Sequence, residues 1–138
     1  MRQGEAAFVD TGAWIALAVT GDVHHETARE HLGILRGVGA KLHTSVPVVM
    51  ETFTFLERNG RRDLALAWKD SIYKPGAVKV LPCEIRDLDQ SWEHFQRKDL
   101  HKLSAVDATS FVIMKRHKIR LAFTFDHHFA VVGFRMVA

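Results

Sequence analysis

The sequence predicts an α/β fold built around a mainly parallel sheet. Two observations predict it. Short apolar runs of strand length alternate with longer, helix-like stretches along the whole chain, and capping residues or Pro/Gly breaks separate the two kinds of segment. The composition agrees: of 138 residues, 47% are hydrophobic and 25% charged, the balance of an ordinary globular protein.

AAFVD (6–10) reads as a short buried strand. TGAWIALAV (11–19) and DVHHETAREHLGIL (22–35) read as helices, the second opened by Asp22 as N-cap. KLHT (41–44) is a weak strand. SVPVVMETFTFLERNG (45–60) carries three agreeing helix signals: a capping Ser45, Pro47 in the first turn and Gly60 at the end. Residues 61–73 form another helix, which PG at 75–76 breaks. AVKVL (77–81) alternates like a strand. Residues 84–98 fit an amphipathic helix whose apolar stripe is Ile85, Leu88, Trp92 and Phe95. LSAVDATSFVIMKRH (103–117) is a helix opened by Ser104 and Asp107 in a capping-box arrangement. LAFTF (121–125) and VGFRMV (132–137) close the chain as strands.

A chain of this length is expected to form one domain over residues 1–138 and to bury roughly two thirds of its unfolded surface. No stretch approaches the ~20 apolar residues that span a bilayer, so no membrane partner is expected. The first ten residues have an acid, Glu5, and no long apolar core, unlike a secretory signal. Cys83 is the only cysteine, which excludes an internal disulfide or a cysteine zinc cluster and suits the reducing cytoplasm. The formal net charge of +3, with nine histidines counted neutral, permits an anionic partner without demanding one.

The carboxylates give the layout a meaning. Asp10 and Asp126 each end a strand. Glu51 lies in the second turn of a helix that follows strand 41–44 almost directly. Asp107 lies in the first turn of the helix leading into strand 121–125. A helix tightly joined to a parallel strand runs antiparallel to it, so both helix starts fall at the carboxyl edge of the sheet, beside Asp10 and Asp126. If strands 6–10 and 121–125 are neighbours, their backbones lie only ~4.8 Å apart. That edge is where open α/β sheets bind ligands.

Four acids on one rim are costly when nothing offsets them. Two carboxylates ~5 Å apart repel by about 3 kcal/mol at an effective dielectric of 20. Either some stay protonated or a cation neutralises them. An all-oxygen set without cysteine selects a hard ion, Mg²⁺ or Mn²⁺, and such an ion suits phosphate chemistry, where it activates a water and screens the oxygen anions.

Each acid also has a plainer reading. Asp10 and Asp126 could cap the segments that follow them, and Asp107 fits its capping box. Glu51 resists such an account, because Pro47, Val48 and Phe55 make an apolar setting for a solvated glutamate. Four plain readings would have to coincide to empty the rim. His24, His25 and His31 lie on an early helix, with His25 at its start beside Asp22. His127 and His128 could touch a phosphate or a metal, but adjacent residues point apart. The cations at 61–62, 97–98, 102, 115–116 and 118 read as solvated faces, some of them able to meet a nucleic-acid backbone. Trp14 and Trp68 read as core.

FVDTGAWIAL (8–17), METFTFL (50–56), LSAVDATSFVIMKRHKI (103–119) and LAFTFDHHFAVVGF (121–134), in that order, resemble the PIN-domain ribonucleases. The likeness is greatest to the VapC-type toxins of prokaryotic toxin–antitoxin pairs, and DVHHETA (22–28) is similar to the opening of that family's second helix. The resemblance implies a three-layer α/β/α sandwich with a central parallel sheet. It carries the family's acidic quartet onto Asp10, Glu51, Asp107 and Asp126, with Thr11, Ser104 and Thr124 as supporting polar positions. It implies Mg²⁺- or Mn²⁺-dependent endonuclease cleavage of RNA, a protein antitoxin that covers the acidic rim, and a homodimer.

Two other classes compete. A PIN-like scaffold or nucleic-acid-binding module without catalysis would be signalled by loss of an acid, and none is missing. A haloacid-dehalogenase-like phosphatase needs a second aspartate near the first, where VDTGAW has none. A receiver domain wants a lysine after a late strand, where Asp126 stands.

Overall fold

A computed structural model describes residues 1–138. The chain runs β1 (Ala6–Val9), α1 (Thr11–Ala18), α2 (His25–Gly37), β2 (Lys41–Ser45), α3 (Val46–Arg58), α4 (Arg62–Ile72) and β3 (Lys79–Leu81). It continues through α5 (Ile85–Ser91), a 3₁₀ turn (Trp92–Gln96), α6 (Ala105–Arg116), β4 (Leu121–Phe123), α7 (His128–Val131) and β5 (Arg135–Met136). The five strands form one sheet in the order β3-β2-β1-β4-β5, and every pairing is parallel. Helices flank this sheet in the α/β/α arrangement: α1 packs on α2 and α3, α3 on α4, and α5 on α6. No helix is long and apolar enough to cross a membrane.

The apolar runs occupy the centre because parallel strands are covered on both faces. Ala7, Phe8 and Val9 of β1 and Ala122 and Phe123 of β4 have no exposed surface. Phe8, Phe111, Phe123 and Phe129 are among the largest fully buried side chains, each stabilising by ~1.5–3 kcal/mol on burial. Trp14 and Trp68 belong to the core as expected, edge to face with ring centroids 5.8 Å apart. The Trp14 indole N–H donates to Thr44 Oγ1, which in turn donates to the Val9 carbonyl. That chain satisfies buried polar groups and ties α1 to β1 and β2.

Several boundaries match their signals. Ser45 caps α3 by accepting the Val48 N–H, with Pro47 in the first turn. Gly60 follows the helix end with φ +71°, a left-handed conformation that costs glycine nothing. Others differ. Asp22 is not the N-cap of α2; its carboxylate accepts the His24 N–H and its carbonyl the His25 N–H, so it closes a turn and His24 takes the cap position. β4 stops at Phe123 instead of 125, because the Asp126 N–H turns back onto Thr124 Oγ1 and leaves the ladder.

The largest difference is α5. Its expected apolar stripe faces outward: Ile85, Leu88, Trp92 and Phe95 are all exposed. The buried side chains are polar, Asp87 and Ser91. Asp87 closes a capping box with Glu84 and takes two hydrogen bonds from the Arg116 guanidinium of α6, at 2.9 and 2.8 Å. A charge matched in this way turns the polar face of α5 inward, and the helix gives way to the 3₁₀ turn at Trp92.

Candidate functional site

The register of the sheet assembles the site. Val9 pairs with Phe123, and the Asp10 N–H donates to the Phe123 carbonyl at 3.0 Å. One residue further, Thr124 Oγ1 donates to Asp10 Oδ2 at 2.9 Å. Asp10 therefore stands where the two central strands stop, and Asp126 follows two residues after Thr124. On the other side of β1, Phe8 pairs with His43, which brings Ser45 and the start of α3 to the same edge. The β1–β4 neighbourhood, assumed from the sequence alone, is present.

A cavity of about 570 Å³ opens at this edge, lined by Asp10, Thr11, Gly12, Ile15, Glu51, Ser104, Asp107, Phe125, Asp126 and His127. All four anticipated acids lie on its wall. Thr11 and Ser104 line it too, and Thr124 supports it from behind through Asp10. Phe125, Gly12 and Ile15 were not anticipated there. Phe125 had a signal, since it precedes Asp126 at a strand end, but strand alternation alone does not say which way it faces.

The plain capping readings divide. Asp10 makes no side-chain cap to α1. Asp126 does not take the cap position of α7, which falls to His127; its Oδ1 accepts the His128 N–H at 2.9 Å and closes the turn before the helix. Ser104 Oγ accepts the Asp107 N–H at 3.0 Å, but Asp107 returns no bond to the cap, so the box is half formed. The Asp107 carboxylate is left to face its neighbours. Carboxylate oxygens of Asp107 and Asp126 and a ring nitrogen of His128 lie within 4.8 Å of one another.

The histidines are likewise split. His127 is on the cavity wall and exposed. His128 reaches Asp126 Oδ1 with Nδ1 at 2.9 Å, an ion-pair distance at which Nδ1 still lacks a hydrogen-bonding geometry. Its Nε2 meets the His101 carbonyl at 2.7 Å. Both residues thus border the acids, His127 on the cavity wall and His128 beside Asp126. His25 ties α2 to α1, its Nδ1 2.7 Å from the Ala16 carbonyl.

The electrostatics follow from burial without a cation. Asp10 is 4% exposed, and burial pushes its carboxyl up to about 6, against the Thr124 hydrogen bond, with the charges of Asp126 and Glu51 adding to the rise. Asp107 is pushed up to about 9 by burial first, then by Asp10, Asp126 and Glu51. Asp126 is held below its ordinary value: burial acts to raise it, but the hydrogen bond from the His128 backbone N–H and the closeness of the Asp107 carboxyl and the His128 ring prevail. No lysine or arginine relieves the repulsion among these groups; none lines the cavity. Asp10 Oδ1 and Thr11 Oγ1 are buried with no hydrogen-bond partner at all. Buried polar atoms are normally satisfied, and orphan oxygens beside three more carboxylates are the donor set of a hard divalent cation.

A wholly parallel α/β protein with a carboxylate-lined cavity outside the carboxyl ends of its central strands is the class that fold and site define. The family is also shown: residues 7–135 match the PIN domain, and the chain belongs to that family. It is 34% identical over 128 residues to the 23S rRNA-specific endonuclease VapC20 of Mycobacterium tuberculosis, covering 92% of this chain and 94% of the relative. The crystal structure of that protein, a sarcin-ricin loop cleaving toxin, superposes with a TM-score of 0.80 at 35% identity, over 93% of this chain and 95% of the other. VapBC2 from Rickettsia felis, bound to a DNA fragment from its promoter, shares the fold with a TM-score of 0.71 at 10% identity, over 95% and 96% of the two chains.

Proposed function

We propose that this chain is an endoribonuclease that depends on Mg²⁺ or Mn²⁺ and acts in the cytoplasm as the toxin of a toxin–antitoxin pair. Asp10, Glu51, Asp107 and Asp126 would hold the ion. When bound, it would supply activation of a water and screening of charge on the phosphate oxygens. The protein's own groups set the geometry. Thr124 occupies Oδ2 of Asp10 and leaves Oδ1 without a partner. The His128 N–H fixes Asp126 Oδ1, and Ser104 fixes the first turn of α6, from which Asp107 projects. The observation that carries the reading is four carboxylates on one cavity with no cationic side chain among its lining residues.

The substrate to test first is bacterial ribosomal RNA, on which the 34% identical relative acts. A protein antitoxin is the expected partner, since structural neighbours include toxin–antitoxin complexes, and a homodimer over a single domain of residues 1–138 is the expected assembly. The purified chain should cut ribosomal RNA with Mg²⁺ or Mn²⁺, stop when the ion is chelated, and arrest growth when expressed without an antitoxin. Growth arrest that persists in a variant lacking the acids would favour a non-catalytic module.

A further inference from the structure

A second feature borders the acid cavity and has no part in the reading above. Phe125 lines the cavity next to Asp126. The imidazole of His24 lies against its ring, with centroids 4.4 Å apart and planes 6° from parallel. His31 also lies nearly parallel to Phe125, at 5.9 Å and 16°, and meets Phe123 edge-on. Phe125 is half-buried in this stack, while His24 is exposed.

His24 is held in place by its backbone. Its N–H is bound by Asp22 Oδ1 at 2.8 Å, and its carbonyl accepts the first helical bond of α2 from Ala28 at 2.8 Å. His25, the next residue, anchors the same turn to α1. The ring thus sits on a fixed turn and rests on an aromatic wall. A flat π-surface that is fixed, exposed and adjacent to a phosphate-cleaving cavity is what an unstacked nucleobase needs, because single-stranded RNA is recognised by stacking on aromatic side chains, histidine included.

We propose that His24, backed by Phe125, is a stacking platform for a base of the RNA next to the scissile phosphate. The inference rests on the nuclease reading and adds a positioning residue to it. Stacking of one base contributes about tenfold or somewhat more in binding, and it acts on every base, since each has a π-face. The platform would therefore hold the strand in register over the acids without choosing its sequence.

The test uses the full chain and ribosomal RNA, followed by a short single-stranded oligoribonucleotide spanning the mapped cut, with 2-aminopurine placed at each position in turn. His24→Ala should raise KM about tenfold and leave kcat within about twofold. His24→Tyr should restore KM, and His24→Lys should not. One 2-aminopurine position should be quenched by the wild type and by His24→Tyr but not by His24→Ala. Unchanged KM and unchanged quenching in His24→Ala would overturn the platform while leaving the nuclease intact. Rescue by lysine and not tyrosine would also overturn it, by showing a phosphate contact instead. A wild type that cuts no RNA would remove the nuclease reading and this inference with it.

Discussion

Two buried aspartates, Asp107 in the first turn of α6 and Asp87 held by Arg116 of its last turn, live under opposite electrostatic rules. Asp87 is 1% exposed and is gripped by the Arg116 guanidinium through both oxygens. Although burial acts to raise its pKa, that partner and the Glu84 N–H hold it below the ordinary range. Asp107, 9% exposed, faces other carboxylates and is pushed up to about 9. Residue type and burial are alike; only the supply of positive charge differs. Where this protein needs a buried carboxylate for architecture it provides the cation itself. At the carboxyl edge of the sheet it provides none, and that deficit is what supports the proposal of a cation taken from solution.

The comparison breaks most visibly in the two Asp→neutral variants. Asp107→Asn should lower RNA cleavage by about two to three orders of magnitude, the scale of losing one transition-state charge contact. It should leave thermal stability unchanged or slightly raised, because it removes a carboxyl whose ionisation burial and its neighbours oppose. Asp87→Ala should do the converse. It strands Arg116, and because that guanidinium is partly exposed the loss should be about 1–3 kcal/mol, between the surface and the buried limits. Its specific activity at a temperature where it stays folded should match the wild type. Equal catalytic losses in both variants, or equal stability losses, would erase the distinction.

Acidity sharpens the contrast without mutation. In the metal-free protein Asp107 and Asp10 bind their protons more tightly folded than unfolded, where the reference value is 3.8. Their contribution to stability is therefore full below about pH 4 and lost as pH rises, through about 6 for Asp10 and about 9 for Asp107. Asp87 and Asp126, both lowered, contribute above their unfolded values and lose that contribution on acidification. Between pH 5 and pH 9 the wild type in chelator should accordingly lose melting temperature relative to Asp107→Asn, a comparison in which the lowered histidines His43, His94 and His117 cancel, and saturating Mn²⁺ should shrink the difference. A gain relative to that variant over the same range would contradict the pKa directions.

The smallest effect concerns the outward face of α5. Ile85→Gln should change stability by no more than about 0.5 kcal/mol, because Ile85 is 75% exposed. A core isoleucine would lose several times as much. A large loss would mean that α5 turns its apolar stripe inward after all.

That helix also marks the limit of what the sequence made legible. The acids were legible because chain connectivity alone fixes which helix starts and strand ends share an edge, so Asp10, Glu51, Asp107 and Asp126 needed no side-chain detail. The facing of α5 was not. The spacing of Ile85, Leu88, Trp92 and Phe95 matches a buried stripe, and only the distant Arg116, 29 residues along the chain, reverses it. Asp22 misled for a local reason, since an aspartate one turn early can bind the N–H two residues on and leave the cap to another residue. The stack of His24 on Phe125 joins residues a hundred positions apart and carries no periodic signature at all.

Calorimetric titration of the metal-free chain with Mn²⁺ at neutral pH, in buffers of different ionisation enthalpy, tests the cation deficit most directly. The wild type and Asp87→Asn should bind the ion with release of protons, and Asp107→Asn should bind it far more weakly and release fewer. Absence of binding by the wild type, or undiminished affinity in Asp107→Asn, would contradict the claim that these carboxylates wait for a metal.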